Sequence, residues 1–326
     1  VTPEKLQVLL DIERKLVEHD FPPQLVVETT ARCNFRCSHC HHHELQREQG
    51  VMSEELWTKI IAEVAQTNPD VELWPTFYGE ALAAGKRIYR RVRQAADLGL
   101  TNLVLNSNGS YCRDGNNDLI LTCGLKKFIL SLDGFTKSTF ESIRYTLDPH
   151  GKFEPVYAGV RELLRRKAEL DAQGVATPLI ICQFSKMEEN EHEAEAFIDY
   201  WLSLGADVKI REKLTWTGFV PAANLTREYK NRIACPWSNN TCAIHWNGDV
   251  VACAVDNEGR FVAGNVNGES IADIWRGRLR KFRAVHRNHT WDDLPELCAG
   301  CIDWQAVGAS YYTPTGAVYH SVAATE

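Results

Sequence analysis

Short β-branched runs alternate with segments of helical period through the first two-thirds of the chain. Residues 25–30 (LVVETT) are the first such run. Ser53 then stands where a helix N-cap belongs, and Glu54 and Glu55 suit the positive first turn. Leu56, Ile60 and Val64 follow at helical spacing. Residues 72–78 read as a second strand. Ile88, Val92 and Ala96 mark a helix that Gly99 closes. Strand-like runs recur at 102–106, 127–132, 178–185 and 207–213, with helices over 156–172 and 193–204. Residues 1–21 read as a charged amphipathic helix, not a signal peptide. Strands separated by crossover helices predict a parallel sheet. Six such units fit an α/β fold, an open, partial (β/α)6 TIM-like barrel with its chemistry at the C-terminal strand ends. From about Ala222 short strands, Gly turns and Trp residues replace this rhythm, and Trp246-Asn247-Gly248-Asp249 reads as a hairpin turn. The pattern divides the chain into a barrel core, 1–221, and a small C-terminal domain, 222–326.

Composition narrows this picture. Hydrophobic residues make up 44% of the 326, enough for a sizeable core. No apolar run is long enough to span a bilayer, so no membrane partner is expected. A net charge of −7 argues against nucleic acid as a partner, because phosphate binding needs a basic surface. Eleven cysteines, an odd number, cannot all pair. In a cytoplasmic chain, which is the expectation here, they point to metal or redox chemistry instead of disulfides.

Cys33, Cys37 and Cys40 have the spacing C-x3-C-x2-C directly after the first strand. Three thiolates on one loop can hold three irons of a 4Fe–4S cluster and leave the fourth open. Zinc is the alternative, with a fourth ligand from His39 or His41–His43.

This triad resembles the signature of the radical S-adenosylmethionine (SAM) superfamily. The resemblance covers roughly residues 20–215. It implies that the open iron binds the amino and carboxylate groups of SAM, which is cleaved to a 5′-deoxyadenosyl radical. An external one-electron donor such as flavodoxin or ferredoxin is then expected. The family places an aromatic residue before the last cysteine, against adenine; here that position is His39. Phe77-Tyr78-Gly79-Glu80 resembles the Gly-Gly-Glu motif, which implies that Glu80 accepts hydrogen bonds from the SAM ammonium and that Gly79 adjoins it. Asn106-Ser107-Asn108-Gly109 is similar to the Thr-Asn-Gly turn, so Asn106 and Asn108 become SAM-site candidates. Ser131-Leu132-Asp133-Gly134 supplies Ser131 as a SAM contact. A basic residue beyond it should pair with the SAM carboxylate, and Lys152 is the first candidate, Arg144 the second.

Cys235, Cys253, Cys298 and Cys301 form a second set. Their spacing resembles the SPASM module in its shortened twitch form, since no cysteine follows Cys301. The resemblance implies one auxiliary 4Fe–4S cluster with four protein ligands. A four-thiolate zinc site is the alternative. Cys112, Cys123, Cys182 and Cys242 are expected to be packed apolar residues or idle thiols.

Lys209, Arg211 and Lys213 alternate on the last barrel strand and therefore share one face. Facing inward they would make a carboxylate or phosphate pocket; on an edge strand they would be solubilising charge. Glu188, Glu189 and Glu191 follow the fifth strand, with Glu189 the candidate substrate contact and a solvated acidic loop the alternative. The resemblance implies a small-molecule substrate of sugar-nucleoside type that loses a carboxylate. Dehydrogenation or epimerisation of a sugar or aminocyclitol, and peptide modification, stay open beside it.

Overall fold

The computed structural model describes residues 2–113, 115–226 and 230–321. Its barrel strands are β1 (Gln24–Val27), β3 (Glu72–Trp74), β4 (Val104–Ser107), β5 (Lys127–Ser131), β7 (Leu179–Lys186) and β8 (Asp207–Glu212). Two-residue strands β2 (Arg36–Cys37) and β6 (Arg144–Tyr145) pair antiparallel above them. The six barrel strands run parallel and neighbour one another in chain order, with β3 joined to β4 through a bridge between Leu73 and Leu103. This is the α/β partial barrel that the alternation predicts. The outward face of these strands is apolar and packs under the helices, while the inward face carries polar residues such as Glu72, Lys127, Gln183 and Lys209 that line a central cavity.

Helices cover the outside: α1 (Pro3–Arg14), α2 (Glu54–Thr67), α3 (Lys86–Asp97), α4 (Asn116–Thr122), α5 (Lys137–Ile143), α6 (Phe153–Ala172) and α7 (Ala194–Ser203). Ser53 caps α2 as its position suggests, its Oγ accepting from the Leu56 N–H at 3.1 Å. The helix then buries Leu56, Trp57, Ile60, Ile61 and Val64 against the sheet.

Beyond residue 222 come α8 (Pro236–Asn240), β9 (Thr241–Ile244), β10 (Asp249–Val251), β11 (Val262–Asn265), α9 (Ile271–Arg276), α10 (Arg278–Arg287), β12 (Ala309–Tyr312) and β13 (Val318–Ser321). The turn at 246–249 joins β9 and β10 as an antiparallel pair. The texture changes at 222, but sheet bonding crosses that point twice. Strand β9 lies parallel to β1 at one side of the barrel, and β12 lies antiparallel to β8 at the other. One hydrophobic cluster likewise runs from Phe21 through the barrel to Cys298. Among the described residues no helix is long and apolar enough to cross a membrane.

Candidate functional site

The C-terminal strand ends surround a cavity of about 360 Å³. Cys33, Cys37 and Cys40 line it from the loop after β1. That loop is held from several sides. Cys37 lies in the β2–β6 ladder, the Asn34 carbonyl accepts from Thr146 Oγ1 at 2.6 Å, and Asn34 Oδ1 accepts from Asn108 Nδ2 at 2.9 Å. Gly79 lets the end of β3 approach the loop. A Cβ there would stand 2.3 Å from the Thr30 carbonyl oxygen and 2.8 Å from that of Arg32. Burial pushes the Cys33 thiol up to about 12, with the Glu80 carboxylate adding to the effect. Burial raises Cys37 and Cys40 as well. Such thiols stay protonated until a metal takes the proton's place.

Of the proposed SAM contacts, His39, Gly79, Glu80, Asn106, Asn108, Ser131 and Arg144 all line this cavity. Glu80 is buried and accepts from the Asn108 N–H at 2.7 Å and the Leu82 N–H at 3.0 Å, yet burial still raises its carboxyl to about 7. Burial lowers His39 to about 4, so the ring is neutral, with Nε2 3.4 Å from Asp133 Oδ2. Ser131 Oγ donates to Asn106 Oδ1 and accepts from Gln183 Nε2, each at 3.1 Å.

Lys152 is a correction. It does not line the cavity, and its ammonium lies over the Tyr145 ring outside it. Arg144 takes the interior place. Its Nη1 lies 4.0 Å from Cys37 Sγ, and it forms a buried ion pair with Asp133. Glu189 is a second correction: it is exposed and stands apart from the lining. Glu188 and Glu191 are exposed too, so the acidic run is a solvated loop. Sequence reasoning missed Asp133 as a functional group. It sits at φ 56°, a backbone region unusual for a non-glycine residue, and ties the Ser185 N–H, His39 and Arg144 together. The signal was its place beside Ser131 in a motif already noticed.

Lys209, Arg211 and Lys213 all face the cavity. They are not on a sheet edge, because β12 covers β8 and sets Tyr311 opposite Lys209 and Ala309 opposite Arg211. Two-residue alternation spreads the three cations over about 13 Å, from the polar floor near Glu72 and Lys127 up to His39. None makes an ion pair with a carboxylate among the described residues. Burial, then the neighbouring Arg211, lowers Lys209 to about 7.

A second, small cavity is lined by Cys235, Cys253, Cys298 and Cys301. The remaining cysteines, Cys112, Cys123, Cys182 and Cys242, belong to the hydrophobic core. Trp237 lines both cavities. Around the four cysteines Arg232 Nε, Trp237 Nε1, Trp304 Nε1 and both His286 ring nitrogens are buried without a hydrogen-bond partner among the described residues.

An iron–sulfur cluster-binding domain family, SPASM, matches residues 235–302. A tungsten-containing aldehyde ferredoxin oxidoreductase cofactor-modifying protein of Pyrococcus furiosus is 22% identical, over 85% of this chain and 86% of that one. Among solved structures, BtrN in complex with AdoMet and 2-DOIA superposes with a TM-score of 0.59 at 17% identity, covering 87% of this chain and 94% of the other. SuiB of Streptococcus suis bound to S-adenosylmethionine gives a TM-score of 0.64 at 12% identity, covering 91% and 76%. The fold is that of these AdoMet-bound structures, and its C-terminal segment carries the SPASM match.

The residues present suit the groups this fold carries. In the barrel, three thiols on one loop border a cavity wide enough for a further ligand. Of the alternative zinc ligands there, His39 and His41–His43, both His41 and His42 are engaged elsewhere. His41 Nε2 lies 3.0 Å from Glu258, and a His42 ring nitrogen 2.6 Å from the Ala31 carbonyl. In the SPASM domain the orphaned N–H groups ask for acceptors. Each costs about 1–3 kcal/mol unless something in the cavity accepts from it.

Proposed function

We propose that the chain is a radical SAM enzyme that decarboxylates a small sugar-nucleoside acid, cytosylglucuronic acid in the first instance. Cys33, Cys37 and Cys40 hold three irons of one 4Fe–4S cluster, and Cys235, Cys253, Cys298 and Cys301 hold an auxiliary 4Fe–4S cluster. The first cluster with SAM supplies one-electron chemistry that ends in a 5′-deoxyadenosyl radical able to take a hydrogen atom from substrate.

This chain's own residues bind and orient. Glu80 receives the SAM ammonium, and Arg144, held by Asp133, faces the SAM carboxylate. Arg211, flanked by Lys209 and Lys213, holds the substrate carboxylate below. The carbon that bears this carboxylate, or its neighbour, loses a hydrogen atom to the deoxyadenosyl radical, CO2 leaves, and one electron from the external donor and one proton from solvent return to the product. An external donor such as flavodoxin or ferredoxin supplies the initiating electron.

The observation that carries the reading is the trio of half-buried cations that line the SAM-site cavity without an ion pair to a carboxylate among the described residues. The test is anaerobic turnover of the reconstituted protein with SAM, a strong reductant and cytosylglucuronic acid, read by mass spectrometry. The expected product has lost CO2, with 5′-deoxyadenosine formed alongside. Deoxyadenosine with a product that keeps its carboxylate would discard the decarboxylation.

The coverage of BtrN, whose structure holds AdoMet and 2-DOIA, favours a second reading. In it the same cavity takes a hydroxyl-bearing sugar or aminocyclitol, and a product lighter by two hydrogens distinguishes it. SuiB bound to precursor peptide SuiA keeps peptide modification as a third reading.

A further inference from the structure

The four cysteines are surrounded by donors that lack acceptors. Arg232 precedes Cys235 in the chain, Trp237 follows it in α8, Trp304 follows Cys301, and His286 comes from α10. These positions lie on three separate segments, and Arg232 Nε, Trp237 Nε1, Trp304 Nε1 and both His286 ring nitrogens are buried and unpartnered among the described residues, while the Arg232 Nη atoms donate to the Cys298 and Ala299 carbonyls. His286 and Trp304 are each only 1% exposed, so water does not satisfy them from outside.

The chemistry of the donors restricts what fills the space. An indole N–H and a guanidinium donate and never accept, and a neutral imidazole keeps one N–H in either tautomer. The occupant must therefore present acceptors on several sides. A lone zinc ion offers only its four thiolates, whereas a 4Fe–4S cluster adds four inorganic sulfides on its faces.

We infer that Arg232, Trp237, His286 and Trp304 donate N–H hydrogen bonds to the sulfur atoms of the auxiliary cluster and thereby raise its reduction potential. This rests on the reading that the site holds that cluster. Reduction adds negative charge that spreads onto the sulfurs. Donors aimed at them favour the reduced form, as hydrogen bonds around iron–sulfur sites do. The four are positioning residues toward the cluster, not ligands. Trp237 is set apart because its ring also borders the SAM-site cavity.

The test is an EPR-monitored redox titration of the full-length, reconstituted protein with iron and zinc analysis. The SAM-site cluster is recognised by the change of its signal when SAM is added. Trp237→Phe, Trp304→Phe and His286→Phe each remove N–H donors and keep a ring. Each is expected to retain wild-type iron and to move the auxiliary potential to a more negative value. His286→Gln keeps an N–H donor and is expected to restore the potential; where His286→Phe loses iron, His286→Gln is expected to keep it. Full iron with unshifted auxiliary potentials in all three ring variants overturns the inference. Zinc in place of auxiliary iron in the wild type overturns the underlying reading instead, and metal analysis separates the two failures.

Discussion

In the large cavity the unsatisfied groups are whole charges; around the four cysteines they are single N–H bonds. Lys209, Arg211 and Lys213 line open space without an ion pair to a carboxylate among the described residues. Arg232, Trp237, His286 and Trp304 face a small enclosed space without an acceptor. A free charge on a wide cavity suits a ligand that comes and goes, since the cation can be solvated between visits. A buried N–H in a closed space has no such resort, and a resident acceptor is what relieves it. The barrel site thus has the character of an exchange site and the SPASM site that of a permanent one. The donor set differs in the same sense: three cysteines leave a position open, and four close it.

The sharpest way to break this comparison is to remove cysteines from each site separately. Replacing Cys33, Cys37 and Cys40 together by Ala is expected to abolish 5′-deoxyadenosine formation while auxiliary iron stays bound. Replacing Cys298 and Cys301 by Ala is expected to remove the auxiliary iron. Iron analysis with a SAM-cleavage assay decides the first outcome, and total loss of iron in the triple variant would show that the two sites do not load independently.

Next in size is Arg211. A charge-assisted hydrogen bond contributes about 1.5–3 kcal/mol, so Arg211→Met should raise the KM for a carboxylate substrate roughly 10- to 100-fold. SAM binding should hardly change. Steady-state kinetics beside SAM equilibrium dialysis separates the two effects. An unchanged KM would return the three cations to a structural role.

Much of the barrel site was legible in the sequence, because its signals are local. The strands are apolar runs bounded by turns, the triad lies on one loop, and Glu80, Asn108 and Ser131 stand at strand ends in order. What was not legible depends on pairing across long separations. The inward face of β8 depends on β12, about a hundred residues later, which converts a possible edge strand into a covered wall. The N–H donors around the SPASM cysteines are ordinary Trp, His and Arg residues in the sequence. Their lack of partners exists only once α8, α10 and the segment after Cys301 meet. Residue 222 marks a change of rhythm in the sequence, and the sheet bonds that cross it were hidden for the same reason.

A smaller effect is expected from pH, and it sharpens the exchange character of the barrel. Burial raises Glu80 from 4.5 to about 7. A carboxyl with a raised folded pKa stabilises the protein in its neutral form. That contribution is complete below the unfolded value and is lost as pH rises through about 7. The SAM ammonium needs the ionised form. SAM affinity should therefore fall by up to about tenfold per pH unit below 7, and Glu80→Gln should flatten the dependence. Dialysis between about pH 6 and 8 checks the slope. A wild-type affinity independent of pH would remove Glu80 from the ammonium's partners.

The smallest effect is expected at Lys152, and it separates two cations that the sequence left as alternatives. Lys152 lies over the Tyr145 ring outside the cavity lining, where an exposed contact of this kind contributes about 0.5–1 kcal/mol. Lys152→Ala should leave SAM affinity within about twofold of wild type. Arg144 lies one residue before Tyr145 but points the other way, because the β2–β6 ladder sets it against Cys37 and Asp133. Removing it would strand the buried Asp133 carboxylate and cost about 3–5 kcal/mol of folding stability. Arg144→Lys is the milder probe, since it keeps the charge and loses the fork that reaches Asp133 and Cys37 at once. Thermal melts and SAM dialysis of Lys152→Ala and Arg144→Lys together check the assignment. A larger loss of SAM affinity in Lys152→Ala than in Arg144→Lys would reverse it.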